Sequence, residues 1–273
     1  MRSILVHADH DAANESRLQA ALDIARRQRG HVTPLIATPF QQFIAVDPFG
    51  GSYILADAIA KAEVDDLALQ TALSERLAGE DVPWDIVTAD GDIVGSLAAA
   101  ATFADLAIVS LPAGSQGRQV EPAMLAGDLA LSISAPVLAL PRDFAVLDFD
   151  APAMIAWNGS PEAAHALRAA IPLLGGRKVE LVSVGAKMGG GDVGLPDTAA
   201  LTYLSRHDIH AEARVVARGA LTVEEVLERT ALDMGAGLIV MGAFGKSRLR
   251  ETLFGGVTQY LVTSGIVPLL LAH

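Results

Sequence analysis

The sequence predicts an α/β protein of two tandem three-layer α/β/α domains, each with a mainly parallel five-stranded sheet. Short runs rich in Val, Ile and Leu alternate along the chain with longer helical stretches. These runs are apolar throughout, which is typical of strands buried on both faces of a parallel sheet. The same order of elements occurs twice in the 273 residues, and this repetition indicates a duplicated domain.

The first half opens with an apolar run that ends at an acidic residue, Asp9. In chain order, its predicted elements are a strand at 3–9, a helix at 15–29, a strand at 30–36, helices at 56–77 and 93–103, and strands at 104–110 and 136–140. The aromatic, glycine-bearing segment Phe40–Ser52 is part of an insertion that the second half lacks. We expect this segment to be either a loop packed over the domain or an exposed contact patch.

The second half repeats the pattern. Its predicted elements are a strand at 154–157, helices at 162–174, 196–207 and 222–234, and strands at 177–184, 237–242 and 268–271. Ser160, Pro161 and Glu162 are typical of a helix start, with an N-cap, a proline at the first position and an acid in the first turn. We place the domains at 1–142 and 152–273, with a linker at 143–151.

Composition limits the classes of function. The chain is 51% hydrophobic, yet no apolar run reaches the roughly 18–20 residues of a membrane span. The N-terminal run is too short for a signal-peptide core, so we expect a cytoplasmic protein without a membrane partner. There is no cysteine, which excludes disulfides and thiol catalysis. A net charge of −12 disfavours nucleic acid as a partner.

The most informative motif lies near the C-terminal end. The apolar run Leu238–Met241 ends at Gly242, Gly245 follows, and a basic loop leads to Gly255-Gly256 and a helical pattern. Strand, glycines and helix N-terminus, in this order, build a phosphate cradle, because glycine lets backbone N–H groups approach an anion. The cations of the loop, Lys246, Arg248 and Arg250, either neutralise phosphates or lie in a solvated loop.

These residues resemble the universal stress protein family in its tandem form, which has an adenine nucleotide alpha-hydrolase-like, Rossmann-like fold. Ile4–Asp9 and, more closely, Met154–Leu167 are similar to the family's opening strand. Gly242, Gly245 and Gly255 are similar to its G-x2-G-x9-G-(S/T) nucleotide motif. Two positions depart from the family. Gly256 replaces the final Ser/Thr, and Asn158 replaces the acid at the end of the strand.

The resemblance implies ATP, with Mg²⁺ carried in by the nucleotide, bound in the second half. The implied contacts are Ala156, Asn158, Val184, Met241, Gly242, Gly245, Lys246, Gly255, Gly256, Val257 and Thr258. The adenine would lie near Ala156, Asn158 and Val184, and the phosphates near the glycines and Thr258. The first half lacks this cradle, because Ser110 stands at the position of Gly242, and Gly127-Asp128 is nearest to the glycine pair.

The family resemblance implies a stress-response ATP-binding sensor or regulator. A nucleotide-free interaction protein with an unknown protein partner and a slow ATPase or autophosphorylating protein remain as alternatives. We predict no catalytic residue and no resident metal site, because the short clusters His7–Asp11 and His207–His210 complete no ligand set. The resemblance also implies that 136–140 and 268–271 pair within one chain as a pseudo-dimer, and it leaves a homodimer open.

Overall fold

The computed structural model describes six parts of the chain: 1–39, 44–46, 52–112, 125–185, 198–243 and 256–273, with only the backbone of 44–46 and 52–54. Contacts divide the chain into two units, Met1–Ile108 and Val109–His273. Within the described parts, every helix falls short of the length and apolar character needed to cross a bilayer.

The first unit alternates strands and helices as predicted. Its elements are β1 (Ser3–Ala8), α1 (Asn14–Gln28), β2 (His31–Thr38), β3 (Ile44–Val46), β4 (Ser52–Ile54), α2 (Ala56–Leu77), β5 (Val87–Asp90), α3 (Ile93–Ala100) and the start of β6 (Leu106–Ser110), which crosses the boundary. The strand order is β5-β2-β1-β6, and all neighbours are parallel. The strands β3 and β4 form a separate antiparallel pair within the insertion.

The core of the first unit forms where α1 covers the central strands. Leu18, Leu22 and Ile24 of α1 are buried, together with Ile4 and Val6 of β1. Continuous burial of β1 on both faces explains why its sequence lacks apolar–polar alternation.

The second unit contains the more complete repeat. Its elements after the end of β6 are α4 (Leu125–Ser132), β7 (Val137–Leu140), β8 (Ala153–Ala156), α5 (Pro161–Leu174), β9 (Val179–Gly185), α6 (Thr198–Ser205), β10 (Ala211–Ala217), α7 (Val223–Asp233), β11 (Leu238–Gly242), α8 (Gly256–Ser264) and β12 (Leu269–Ala272). The strands β10-β9-β8-β11-β12 form the predicted five-stranded parallel sheet. The predicted α/β fold class is therefore confirmed.

The sheet of the second unit is extended by β7. This strand runs antiparallel to β12, with Leu138 opposite Leu270, and both strands are fully buried. The predicted pairing of the two Pro-led apolar runs is observed. Because of this contact, β7 belongs to the second unit, and the division by contacts falls between residues 108 and 109. The domain bounds 1–142 and 152–273 stay a prediction.

Besides the short β3–β4 pair, two described strands have no counterpart among the elements predicted from sequence. β5 and β10 lie at the ends of their strand orders, and their residues alternate in exposure or are largely exposed. Glu212 and Arg214 interrupt β10, so it lacks the continuous apolar run by which the other strands were recognised. An edge strand needs no such run, because one of its sides faces solvent.

Candidate functional site

The strand order of the second unit creates a switch point between β8 and β11. From β8 the chain moves through β9 to β10, and it then returns to β11 and β12 on the other side. Because parallel crossovers are right-handed, the helices before and after this return lie on opposite faces, and a crevice opens at the carboxyl ends of the central strands. Ala156 and Met241 are register partners at this edge. Two residues of the predicted site therefore lie side by side.

Gly242 ends β11 against the first turn of α5. A Cβ on Gly242 would lie 2.5 Å from the backbone nitrogen of Ala163 and 2.5 Å from the carbonyl carbon of Glu162. Real Cβ atoms do not approach backbone this closely, so the packing of the helix on the strand requires glycine here. The sequence analysis attributed this glycine to the approach of a phosphate. The structure supplies a reason that does not involve a ligand.

Asn158 shapes the turn that leads into α5. Its Oδ1 accepts the backbone N–H of Ser160 at 3.0 Å, and Ser160 Oγ accepts the backbone N–H of Ala163 at 3.1 Å. Ser160 is thus the predicted N-cap, with Pro161 in the first turn. Asn158 is exposed at the carboxyl edge of the sheet, and its amide nitrogen supplies donors that the family's usual carboxylate lacks.

Val184 lies close to the same edge, near the end of β9. The strand β9 continues past the end of β8, where Trp157 N donates to Val182 O at 2.8 Å, and Val184 is the register partner of Val216. Arg218 follows β10 here, and its backbone nitrogen donates to Gly185 O at 3.2 Å. This exposed cation at the site edge was missed, because the strand before it was not recognised from the sequence.

The first turn of α8 holds Gly256, Val257 and Thr258. Since β11 and β12 are parallel neighbours, the helix between them runs back along the sheet, and its N-terminus lies at the carboxyl edge. Gly256 is exposed, and a Cβ there would meet no atom of the described residues within 4 Å, whereas Thr258 is buried. The N–H groups and dipole of a helix N-terminus favour an anion at this point.

Part of the predicted site lies outside the described residues. This holds for Gly245, Lys246, Arg248, Arg250 and Gly255, and also for most of Phe40–Phe49. The contribution of these residues to a phosphate cradle stays a prediction.

Two histidines hold the segment that follows Gly242. His273 Nδ1 donates to Ala243 O at 2.9 Å, and His165 Nδ1 of α5 donates to the His273 backbone oxygen at 2.7 Å. Because both acceptors are backbone oxygens, the proton in each ring lies on Nδ1. These bonds connect the end of β11, the end of β12 and α5. Sequence analysis missed these bonds, because the two histidines are far apart in the chain.

The second half of the chain matches a family model. Residues 152–273 match the model of the universal stress protein family. These residues are therefore a domain of that family. No functionally curated protein matches the chain.

Solved structures extend the likeness in fold to the whole chain. A universal stress protein from Archaeoglobus fulgidus DSM 4304 has a TM-score of 0.75 and 14% identity, and the match covers 98% of this chain and 97% of that one. A protein of unknown function from Pseudomonas aeruginosa PAO1 has a TM-score of 0.60 and 17% identity, with 100% and 92% covered. At these identities the likeness shows the fold alone.

The first unit builds the turn of the universal stress protein domain with different chemistry. Asp9 Oδ1 accepts the backbone N–H of Asp11 at 3.0 Å, as Asn158 does for Ser160. Arg17 is 1% exposed; its guanidinium pairs with the Asp9 carboxylate, and its Nε donates to the backbone oxygen of His7 at 2.7 Å. A buried cation from α1 thus pairs with the acid that follows β1, where the second unit has the exposed Asn158.

His7 lies beside this ion pair, with its Nδ1 at 3.6 Å from Asp9 Oδ2. Burial lowers the pKa of His7 to about 4, reinforced by Arg17 and opposed by Asp9 and Asp11. The imidazole is therefore neutral near pH 7. The group belongs to the core of the first unit and not to an open site.

The N-terminus of α4 differs from that of α8 in the universal stress protein domain. Asp128 lies in the first turn of α4, and burial raises the pKa of its carboxyl group. A carboxylate in this turn interacts favourably with the positive end of the helix dipole, and it would repel a phosphate. The absence of a cradle in the first half stays a prediction, because residues 113–124 lie outside the described parts of the chain.

A second feature near α8 does not suit an anion. A cleft of about 490 Å³ lies between α7 and α8, and its lining residues are Glu224, Gly256, Gln259, Tyr260, Thr263 and Ser264. Glu224 gives it an acidic wall, so a phosphate at Gly256 is better placed on the strand side of α8. Within the described residues, no three acidic, histidine or cysteine side chains are grouped to hold a metal ion.

Proposed function

We propose that the universal stress protein domain at 152–273 binds ATP, with Mg²⁺ carried by the nucleotide, and that the protein is a stress-response nucleotide sensor. The observation that carries the proposal is the switch point, where Ala156 and Met241 meet and where the exposed start of α8 faces the same edge. Open α/β sheets bind their ligands in this crevice.

The chemistry of the described residues fits a nucleotide in part. Asn158 supplies exposed amide groups for a base or ribose, and the first turn of α8 supplies backbone N–H groups for a phosphate. Gly256 leaves open space where the family's motif has a hydroxyl. The site would therefore lose one donor but keep its backbone donors. Hydrolysis, if any, is slow, because no general base is evident among the described residues of the edge.

One observation favours the alternative of a nucleotide-free interaction protein. Packing against Ala163 explains Gly242 without a ligand, so one glycine of the motif does not by itself indicate binding. A test of the proposal must therefore act at a position where glycine has no structural role.

Gly256 is such a position. Isothermal titration of Mg·ATP into the purified chain should give one site per chain in the wild type. Gly256→Asp should weaken binding by at least about tenfold, since the new carboxylate repels the phosphates, while the neutral isostere Gly256→Asn retains binding. Absence of binding at millimolar ATP would count against the proposal. Equal affinities of the Asp and Asn variants would place the nucleotide elsewhere.

A further inference from the structure

The strand β10 is an exposed edge of the second unit. It lies at the end of the strand order, and β9 is its neighbour in the described part of the sheet. None of its seven residues, Ala211–Ala217, is buried, and Val215 is 38% exposed. Native proteins commonly protect such an edge with proline, a bulge or a covering element, because it can pair with another strand. The seven residues include no proline, and the register with β9 runs without a bulge.

The hydrogen-bond phase of β10 shows which backbone groups face outward. Arg218 N donates to Gly185 O, so Arg214 and Val216, at two-residue spacing, also direct their backbone groups toward β9. The N–H and C=O groups of Ala213 and Val215 consequently point away from the sheet. These outward groups are the ones that an added strand would use.

The charges of β10 are self-complementary about Ala213. When two copies of the strand pair antiparallel around a two-fold axis at Ala213, Glu212 of each copy stands opposite Arg214 of the other. With this axis, the outward groups of Ala213 in the two copies form a hydrogen-bonded pair, and Glu212 and Arg214 become a closely spaced non-hydrogen-bonded pair. An axis at Arg214 would oppose two arginines.

Arg214 can serve this pair while it keeps its internal contact. Its Nη1 lies 3.3 Å from Glu180 Oε2, and its side chain is 46% exposed. A guanidinium has five N–H donors, so it can bind a second carboxylate while it contacts the first. Glu180 is also bound by Lys178 at 3.0 Å, so it does not depend on Arg214 alone.

We propose that β10 is the interface of a homodimer, in which two copies of this chain pair their β10 edges antiparallel around a two-fold axis at Ala213. Such an interface is isologous, so the same patch serves both copies and the assembly closes at two. The proposal does not depend on nucleotide binding.

The test is the oligomeric state of the full chain, measured by sedimentation velocity over a range of micromolar concentrations. The wild type should be a concentration-dependent dimer. In Arg214→Glu, an acid at 214 stands opposite Glu212 of the other copy on both sides of the axis. The dissociation constant of the dimer should therefore rise by about tenfold or more. The double variant Glu212→Arg with Arg214→Glu should restore the affinity of the dimer. Lys178→Glu is the control, since it disturbs Glu180 on the same face without touching the edge.

Ala213→Pro provides an independent variant. It removes the outward N–H at the proposed axis, and an edge strand tolerates proline. It should give a monomer with unchanged circular dichroism. A wild-type monomer at the highest concentration would overturn the proposal, and so would a dimer that persists in both Arg214→Glu and Ala213→Pro. Binding of a foreign extended peptide to a monomeric wild type would assign the edge to a different partner.

Discussion

Gly242 and Ala163 are in such close contact that a single added carbon atom on Gly242 would lie 2.5 Å from the backbone nitrogen of Ala163. The contact joins the end of the central strand β11 to the first turn of α5. It fixes the helix whose N-cap, Ser160, follows the exposed Asn158. The geometry of the candidate site therefore depends on a glycine that need not touch the ligand.

Gly242→Ala should lower the free energy of unfolding of the second unit by about 1–3 kcal/mol, the usual cost of overpacking a core. The added methyl group must displace helix backbone, which cannot rotate away as a side chain does. Urea denaturation followed by the fluorescence of Trp157, in a Trp84→Phe background, would measure the change.

Gly175→Ala is the matched control, because Gly175 follows α5 in the same unit and a Cβ there meets no atom of the described residues within 4 Å. It should change stability by less than about 0.5 kcal/mol. Equal effects of the two substitutions would show that the contact between Gly242 and α5 relaxes at little cost.

Gly256→Ser should strengthen the proposed ATP binding by about tenfold. The substitution adds a hydroxyl donor at the start of α8, where the family's motif has Ser or Thr, and a hydrogen bond to a charged group contributes about 1.5–3 kcal/mol. Among the described residues, no atom lies within 4 Å of a Cβ at Gly256, so they leave room for the side chain. Titration calorimetry with Mg·ATP measures the gain, and Gly79→Ser, which adds the same group at another open glycine, should leave the affinity unchanged. An unaltered affinity in Gly256→Ser would argue that the phosphates do not reach α8.

The fold was predictable because its central strands have to be apolar on both sides. Val6 of β1 and Val240 of β11 are buried within short, continuously apolar runs, which are typical of central strands in a parallel sheet. The edge strand β10 was not recognised from the sequence, because its solvent-exposed charged residues interrupt the apolar run. At the site, the sequence pattern assigned Gly242 to a phosphate, which stays a prediction, and it could not show the contact with Ala163, because that contact is a property of packing. The bonds of His165 and His273 join distant parts of the chain, and local sequence cannot show them.

Arg17→Ala should destabilise the first unit by about 3–5 kcal/mol, because it leaves the partly buried Asp9 carboxylate without its buried partner. The cost combines the lost ion pair with the lost hydrogen bond to the His7 backbone oxygen. Urea denaturation followed by Trp84 fluorescence, in a Trp157→Phe background, reports on this unit. Arg27→Ala, on the exposed side of the same helix, should cost less than about 1 kcal/mol. Similar losses in both variants would mean that the pair contributes no more than a surface charge.

His7 should make the stability of the first unit depend on pH between about 6.5 and 4. Burial lowers the pKa of His7 in the folded chain to about 4, so within this range the unfolded chain binds the proton and the folded chain does not. The stabilisation is therefore fully present above pH 6.5, and it falls as the pH decreases toward 4. The difference between the two pKa values corresponds to about 3 kcal/mol.

His7→Gln removes this titration, so the free energy of unfolding should vary less over the same range, although the substitution also lowers stability throughout. His10→Gln, at an exposed histidine three residues away, should keep the slope of the wild type. Urea denaturation at a series of pH values, followed by Trp84 fluorescence, measures both slopes. If the wild type and His7→Gln lose stability in parallel, the burial of a neutral imidazole at position 7 is not the cause of the slope.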